Sequence, residues 1–187
     1  VKYQLAYLYA DSCLQLKTDL LDYNQLDPSL NFPIPMYNIE DLYEQGCYPL
    51  NARHDKADST LYKLFEDNDL RKILFFSDNG DGSHKYRGSY EQTDGPFIGV
   101  GIDEVYLTRA ECEARLGKVS QAMDDLNTLL VTRWKAGTFV PFTASSQQDA
   151  LDLILKEQRK ELMMRQIRWI DVKRLNKEGY NINMTML

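Results

Sequence analysis

The sequence has no excess of basic charge. Its 22 Lys and Arg stand against 28 Asp and Glu, a net charge of −6 over 187 residues. A sequence-independent nucleic-acid binder needs a basic face to displace counterions, so this balance argues against that class. No apolar run approaches the ~20 residues that span a bilayer as a helix. Cysteine is scarce: Cys13, Cys47 and Cys112 show no CxxC spacing, which gives neither a zinc signal nor a disulfide framework. Cys13 and Cys112 fall inside helical patterns and read as small buried apolar residues; Cys47 falls in a loop. The two histidines, His54 and His84, lie far apart in loops. HExxH, GxSxG, Walker A and GxGxxG are all missing, so no constellation points to an enzyme. The run Ser77-Asp78-Asn79-Gly80-Asp81-Gly82, aligned as an EF-hand loop, puts Gly88 where a bidentate Glu belongs. Its Asn-Gly and Asp-Gly steps favour a turn instead. No metal and no cofactor are expected.

What is present is ordinary in bulk: 43% hydrophobic and 27% charged residues, the composition of a globular domain. The length sets a prior of one domain. The aromatic content is less ordinary. Twelve Tyr, seven Phe and two Trp fall partly in polar loops.

Residues 1–16 read as a helix, with Tyr3, Ala6, Tyr7, Ala10 and Leu14 at helical spacing. Leu5, Leu8, Tyr9 and Cys13 make it apolar nearly all round, so burial on more than one face is expected. That feature, and an end at Leu187 without cap or polar tail, suggest a piece of a longer protein. Pro28, Pro33 and Pro35 make residues 24–37 an extended connector, and 38–58 read as irregular. Ser59 is a candidate N-cap for a helix over 59–70, with Leu61, Leu64 and Phe65 on one face. Ile73–Phe76 and His84–Tyr90 flank the turn and predict a small β-hairpin.

From residue 102 the periodicity is stronger. Asp103 is a candidate N-cap for a helix over about 104–116, carrying Tyr106, Ala110 and Ala114 on one face, and Gly117 ends it. Ser120 is a candidate cap for a second helix with Ala122, Met123, Leu126, Leu129, Leu130 and Trp134 inward. The short turn between them requires antiparallel packing. A third helix runs from about Ser146 to Arg165, Ser145 and Gln148 having capping-box spacing. Its stripe is Leu151, Ile154, Leu155, Leu162 and Met163. Glu157 and Glu161 read as a solvated face, with Glu161–Arg165 a favourable i,i+4 pair. The segment 167–176 places Trp169, Ile170, Val172 and Leu175 inward. The expected fold class is all-α: a tetratricopeptide-like helical repeat scaffold with irregular loops and a small hairpin. Its parts are a repeat helix (1–23), a loop-rich insertion (24–101), a helix-turn-helix repeat (102–136) and C-terminal helices (145–178).

The segment Tyr106-Leu-Thr-Arg-Ala-Glu-Cys-Glu-Ala-Arg-Leu-Gly117, followed by Gln121-Ala122 and Asp125-Leu126-Asn127, resembles one tetratricopeptide unit. The order of motifs is more specific. Asp69-Leu70-Arg71 comes first, then that unit, then Ile154-Leu-Lys-Glu-Gln-Arg-Lys-Glu-Leu162, closed by Arg168-Trp-Ile-Asp-Val-Lys-Arg174. This order resembles the C-terminal half of the SusD/RagB family of outer-membrane lipoproteins. In that family an acidic residue and Gly precede the Arg-Trp pair; here Arg165-Gln166 stand in that place, and Ile170 and Val172 replace the commoner Phe and Leu.

The resemblance implies a binder rather than an enzyme. Such proteins are tethered by an N-terminal lipid to the cell surface at the outer membrane, and that anchor would lie outside this chain. They deliver an oligosaccharide, or in some members a peptide, to a SusC-type TonB-dependent transporter. A protein-interaction module built from tetratricopeptide repeats is the alternative class. The resemblance makes Trp169, Arg168 and Asp171 structural. It places the ligand site in irregular loops, where aromatic rings stack on the apolar faces of sugars. The candidate plates are Tyr43, Tyr48, Tyr86 and Tyr90, with Phe97 weaker; Asn51, Arg53 and Arg87 are candidates for gripping hydroxyls.

Overall fold

The structure, a computed structural model, describes residues 2–45, 56–88, 90, 92 and 96–183. Among these, α4 (Ile102–Arg115) is the central element. It packs against α1 (Tyr3–Leu14), α5 (Val119–Leu130) and α6 (Gln147–Glu161). Ala110, Ala114 and Ala122 are fully buried where these helices meet; their small side chains let the backbones approach closely. Leu126, Leu129, Leu130, Leu151 and Ile154 complete this core, with Trp134 packed beside Phe139 and Phe142. α4 ends at Gly117, whose φ of 80° lies in the left-handed region open to glycine. The amide of Gly117 donates to Ala114 O at 3.0 Å and that of Lys118 to Glu113 O at 2.8 Å, satisfying the last carbonyls.

Several caps differ from the sequence reading. Asp103 is the second residue of α4, not its cap, and is fully buried. α5 starts at Val119 without any side-chain cap, so Ser120 lies inside it. α6 is capped by Ser146, which accepts from Asp149 N at 3.1 Å, one residue beyond the expected box. Asp58 rather than Ser59 caps α2 (Ser59–Tyr62), accepting from Thr60 N at 2.7 Å. That helix stops after one turn, and residues 68–70 extend alongside the chain after α5: Leu70 N donates to Arg133 O and Lys135 N to Asn68 O, both at 2.9 Å. Asp69 then accepts from Arg71 N at 3.1 Å and opens α3 (Arg71–Phe75) where a strand was expected.

The hairpin forms slightly later than predicted, from β2 (Phe76–Asp78) and β3 (His84–Tyr86), antiparallel, with Phe76 opposite Tyr86. Within its turn Asp78 accepts from Gly80 N at 2.7 Å and Asp81 from Ser83 N at 2.9 Å, so turn geometry accounts for both carboxylates. A second two-stranded sheet was not foreseen: β1 (Asp41–Gln45) pairs antiparallel with β4 (Ile98–Gly101), Tyr43 opposite Val100. β4 contains Gly99, where an added Cβ would lie 2.2 Å from the Tyr43 carbonyl oxygen and 2.5 Å from the Phe97 ring. Only glycine lets the two strands close there. A second core, rich in aromatics, lies under both sheets: Tyr23, Ile34, Phe65, Phe75, Phe76, Tyr86, Tyr90 and Phe97.

Two helices are less enclosed than expected. α1 buries only Ala10 and Leu14, while Leu5, Leu8 and Tyr9 are exposed. In α7 (Arg168–Asn176), Val172 and Leu175 point inward, but Trp169 and Ile170 face out, the Trp169 ring covered on one side by Lys173 Nζ at 4.8 Å. Among the described residues no helix is long and apolar enough to cross a membrane.

Candidate ligand-binding surface

Between the two cores runs a buried chain of charges. It starts at Arg71, fully buried, which donates to Asp69 (2.7 Å), Glu157 (2.6 Å) and Glu161 (2.8 Å). Lys160 joins Asp69 (2.8 Å) and Glu157 (2.9 Å). Glu161 continues to Arg133 at 2.7 Å, and Arg133 to Glu40 at 2.8 Å. Glu40 accepts from the Tyr90 hydroxyl, which also reaches Asp103 at 3.2 Å, and Asp103 is held by Arg165 at 2.5 Å. Glu157 and Glu161 are therefore not a solvated face, and Glu161 pairs with Arg71 and Arg133, not with Arg165. Their four-residue spacing puts both on one side of α6, and that side faces the interior.

The network holds one carboxylate more than it has cations: Glu40, Asp69, Asp103, Glu157 and Glu161 against Arg71, Arg133, Lys160 and Arg165. Burial pushes Glu40 up to about 7, against the pull of Arg133. One hydroxyl hydrogen on Tyr90 cannot serve two carboxylates at once.

Glu40 ties this interior to a surface loop. Its carboxylate takes Leu21 N at 2.6 Å, its carbonyl takes Ile102 N at 2.8 Å, and its own amide donates to Asn38 Oδ1 at 2.9 Å. On either side of this anchor two tyrosines stand in solvent: Tyr37, 74% exposed, and Tyr43, 58% exposed. Tyr37 has a φ of 52°, in a region costly for a residue with a Cβ. The Tyr43 hydroxyl donates to Gln45 Oε1 at 3.1 Å on the same face of β1. Ile39, Leu42 and Val100 are exposed as well. Of these, Val100 is the residue paired opposite Tyr43 across the β1–β4 strands.

The candidate residues divide accordingly. Tyr43 is presented to solvent. Tyr86 (3% exposed) and Tyr90 (0%) belong to the second core, so neither ring is offered to a ligand. The Arg165 guanidinium covers the Tyr90 ring at 4.5 Å and that of Phe97 at 4.8 Å. Arg87 donates to the carbonyls of Ile73 (3.1 Å), Pro28 (2.6 Å) and Leu30, stapling the connector to the hairpin. Tyr48, Asn51 and Arg53 lie outside the described residues, as do Cys47 and His54. Tyr37 was missed; its signal was a tyrosine just past the rigid Pro33-Ile34-Pro35 run, before a turn-forming Asn.

A helical scaffold thus holds, through a buried ionic network, a loop that presents Tyr37 and Tyr43 to solvent. The SusD family profile matches residues 76–186, more than half of the chain. The chain belongs to the SusD family. No curated protein matches it. Among solved structures it is similar to a SusD-like carbohydrate binding protein from Bacteroides vulgatus ATCC 8482, with a TM-score of 0.67 and 23% identity. The match covers 93% of this chain and 42% of that one, so the chain spans less than half the length of the structure whose fold it shares.

Proposed function

We propose that the chain takes part in capturing an oligosaccharide at the cell surface and passing it to a SusC-type TonB-dependent transporter of the outer membrane. It acts by binding and not by catalysis. Membrane attachment comes through a lipid outside these residues. Membership of the SusD family and the carbohydrate-binding description of the similar structure support this reading. The observation that carries it is the pair Tyr37 and Tyr43, exposed on either side of the Glu40 anchor. Tyrosine offers an apolar plate for the C–H face of a pyranose and a polar tip for its hydroxyls. Tyr48, Asn51 and Arg53, which follow β1 in sequence, are proposed to complete the site.

Isothermal titration and affinity electrophoresis against a panel of soluble glycans test it. Binding to at least one glycan, weakened by Tyr43→Ala and Tyr37→Ala, is the expected result. Binding to peptides but to no glycan would move the function to peptide capture.

A further inference from the structure

The turn between β2 and β3 carries Asn79-Gly80, the one Asn in the chain that is followed by Gly. Both residues are exposed. This step has a chemistry of its own. The amide nitrogen of Gly80 can attack Cγ of Asn79 and close a five-membered succinimide ring. The Gly80 N–H proton passes to water, and the Asn79 side-chain nitrogen takes a proton from water and leaves as ammonia. Water then opens the ring at either carbonyl, giving aspartate or isoaspartate. Nothing is oxidised or reduced; one amide is hydrolysed to one carboxylate. Glycine favours the attack because it puts no Cβ beside the nitrogen. The space there is open as well, since a Cβ added to Gly80 would meet nothing within 4 Å.

The closed turn opposes both halves of that reaction. The Gly80 N–H donates to Asp78 Oδ1 at 2.7 Å, so the nucleophile keeps its proton beside a carboxylate whose charge disfavours a nitrogen anion. Asn79 Nδ2 donates to Ser83 Oγ at 3.0 Å, which ties the leaving group across the turn. Ser83 is itself held. Asp81 accepts from its N–H at 2.9 Å and from its hydroxyl, and Lys56 pairs with Asp81 at 2.7 Å. Asn79 N donates to Ser83 O at 3.0 Å and closes the end of the hairpin. Before Cγ can meet the Gly80 nitrogen, the bonds to Ser83 Oγ and Asp78 must break. That is a local opening of the turn, not an unfolding of the chain.

We propose that Asn79 is a modification site, deamidated spontaneously through a succinimide when this turn opens, with Asp78 and Ser83 as the pair that keeps it shut. The product makes the opening permanent. Isoaspartate lengthens the backbone by one carbon between residues 79 and 80. Either product adds a negative charge to a turn that already holds Asp78 and Asp81. The register that places Phe76 opposite Tyr86 is lost first. Arg87, the residue after β3, then loses its fixed hold on the Pro28 and Leu30 carbonyls.

The test incubates the 187-residue chain in mildly alkaline buffer, either folded or unfolded in urea. Mass spectrometry of the peptide containing residue 79 follows the change from amide to acid, and isoaspartyl methyltransferase labels the isoaspartate. The folded chain is expected to convert roughly tenfold more slowly than the chain in urea. Ser83→Ala and Asp78→Ala should each speed conversion of the folded chain several-fold, and Asn79→Gln should show none at this position. Converted chains should exchange the amides of His84–Tyr86 faster than unconverted ones. Gly99→Ala, which loosens the other sheet and leaves this turn intact, separates local opening from global unfolding; its rate should equal the parent's. Equal rates in the folded chain and in urea, no acceleration in either turn variant, or no conversion at Asn79 at all overturns the proposal. So does an acceleration by Gly99→Ala as large as that by Ser83→Ala.

Discussion

Arg133 grips Glu40 with both carboxylate oxygens, at 2.8 and 2.9 Å, and neither side chain is exposed. Residue 40 belongs to the surface loop and residue 133 to the segment after α5, so this contact joins the proposed ligand surface to the helical scaffold. Arg133→Met should leave Glu40 buried without its cation and Glu161 with Arg71 alone. A loss of about 3–5 kcal/mol is expected, which urea denaturation would measure. Glu40→Gln should cost clearly less, since burial already raises the Glu40 carboxyl and an amide oxygen can still accept from Arg133. Equal losses would contradict the raised Glu40.

Glu104 gives a pH-dependent prediction. Its folded value of about 7 lies above the usual 4.5, so the folded chain holds this proton more firmly than the unfolded chain does. Stability from this group is therefore highest below pH 4.5 and declines as pH rises from there to about 7. Glu104→Gln removes the ionisable carboxyl. The variant should match the parent at pH 4 and exceed it by about 1–3 kcal/mol at pH 8. Thermal melts at both values decide this, and a gain confined to acid pH would show the opposite sign.

Gly99→Ala probes the strand pairing under Tyr43. The added methyl would fall 2.2 Å from the Tyr43 carbonyl oxygen, with backbone on one side and the buried Phe97 ring on the other. A destabilisation of about 1–3 kcal/mol is expected, together with weaker glycan binding as β1 shifts. Loss of stability without any change in binding would separate Tyr43 from the site.

For Tyr37 the ring and the backbone make opposite contributions. Tyr37→Gly should relieve the positive φ and stabilise the fold by up to about 1 kcal/mol, while glycan affinity falls about tenfold. Tyr43→Ala should lower affinity similarly with little effect on the melting temperature. A glycine variant that binds as well as the parent would remove Tyr37 from the proposed site.

Much of the scaffold was legible because helical periodicity is local. Ala110, Ala114 and Gly117 announced α4 and its end, and Leu126, Leu129 and Leu130 the inner face of α5. The β1–β4 pair was not legible: Asp41-Leu-Tyr-Glu-Gln45 has no β-branched residue, and Ile98-Gly-Val-Gly101 is half glycine. The ionic network was hidden for another reason. Glutamates at 157 and 161 have the same spacing whether they face water or protein, and only the arrival of Arg71 and Arg133 from elsewhere decides between them. The site suffered from the same ambiguity. A tyrosine in a polar stretch can be a plate, as Tyr43 is exposed to be, or a core ring whose hydroxyl meets buried acids, as Tyr90 is. The anchor at Glu40 had no signature of its own.

The ionic network also governs how the molecule comes apart. Its charged members arrive from five separate stretches, around residues 40, 69–71, 103, 133 and 157–165. Each bare charge would be costly in the interior, so a partly assembled network gains little until the last partner docks. The aliphatic and aromatic cores are thereby obliged to melt together. Cooperativity in this fold is carried by ions rather than by oil.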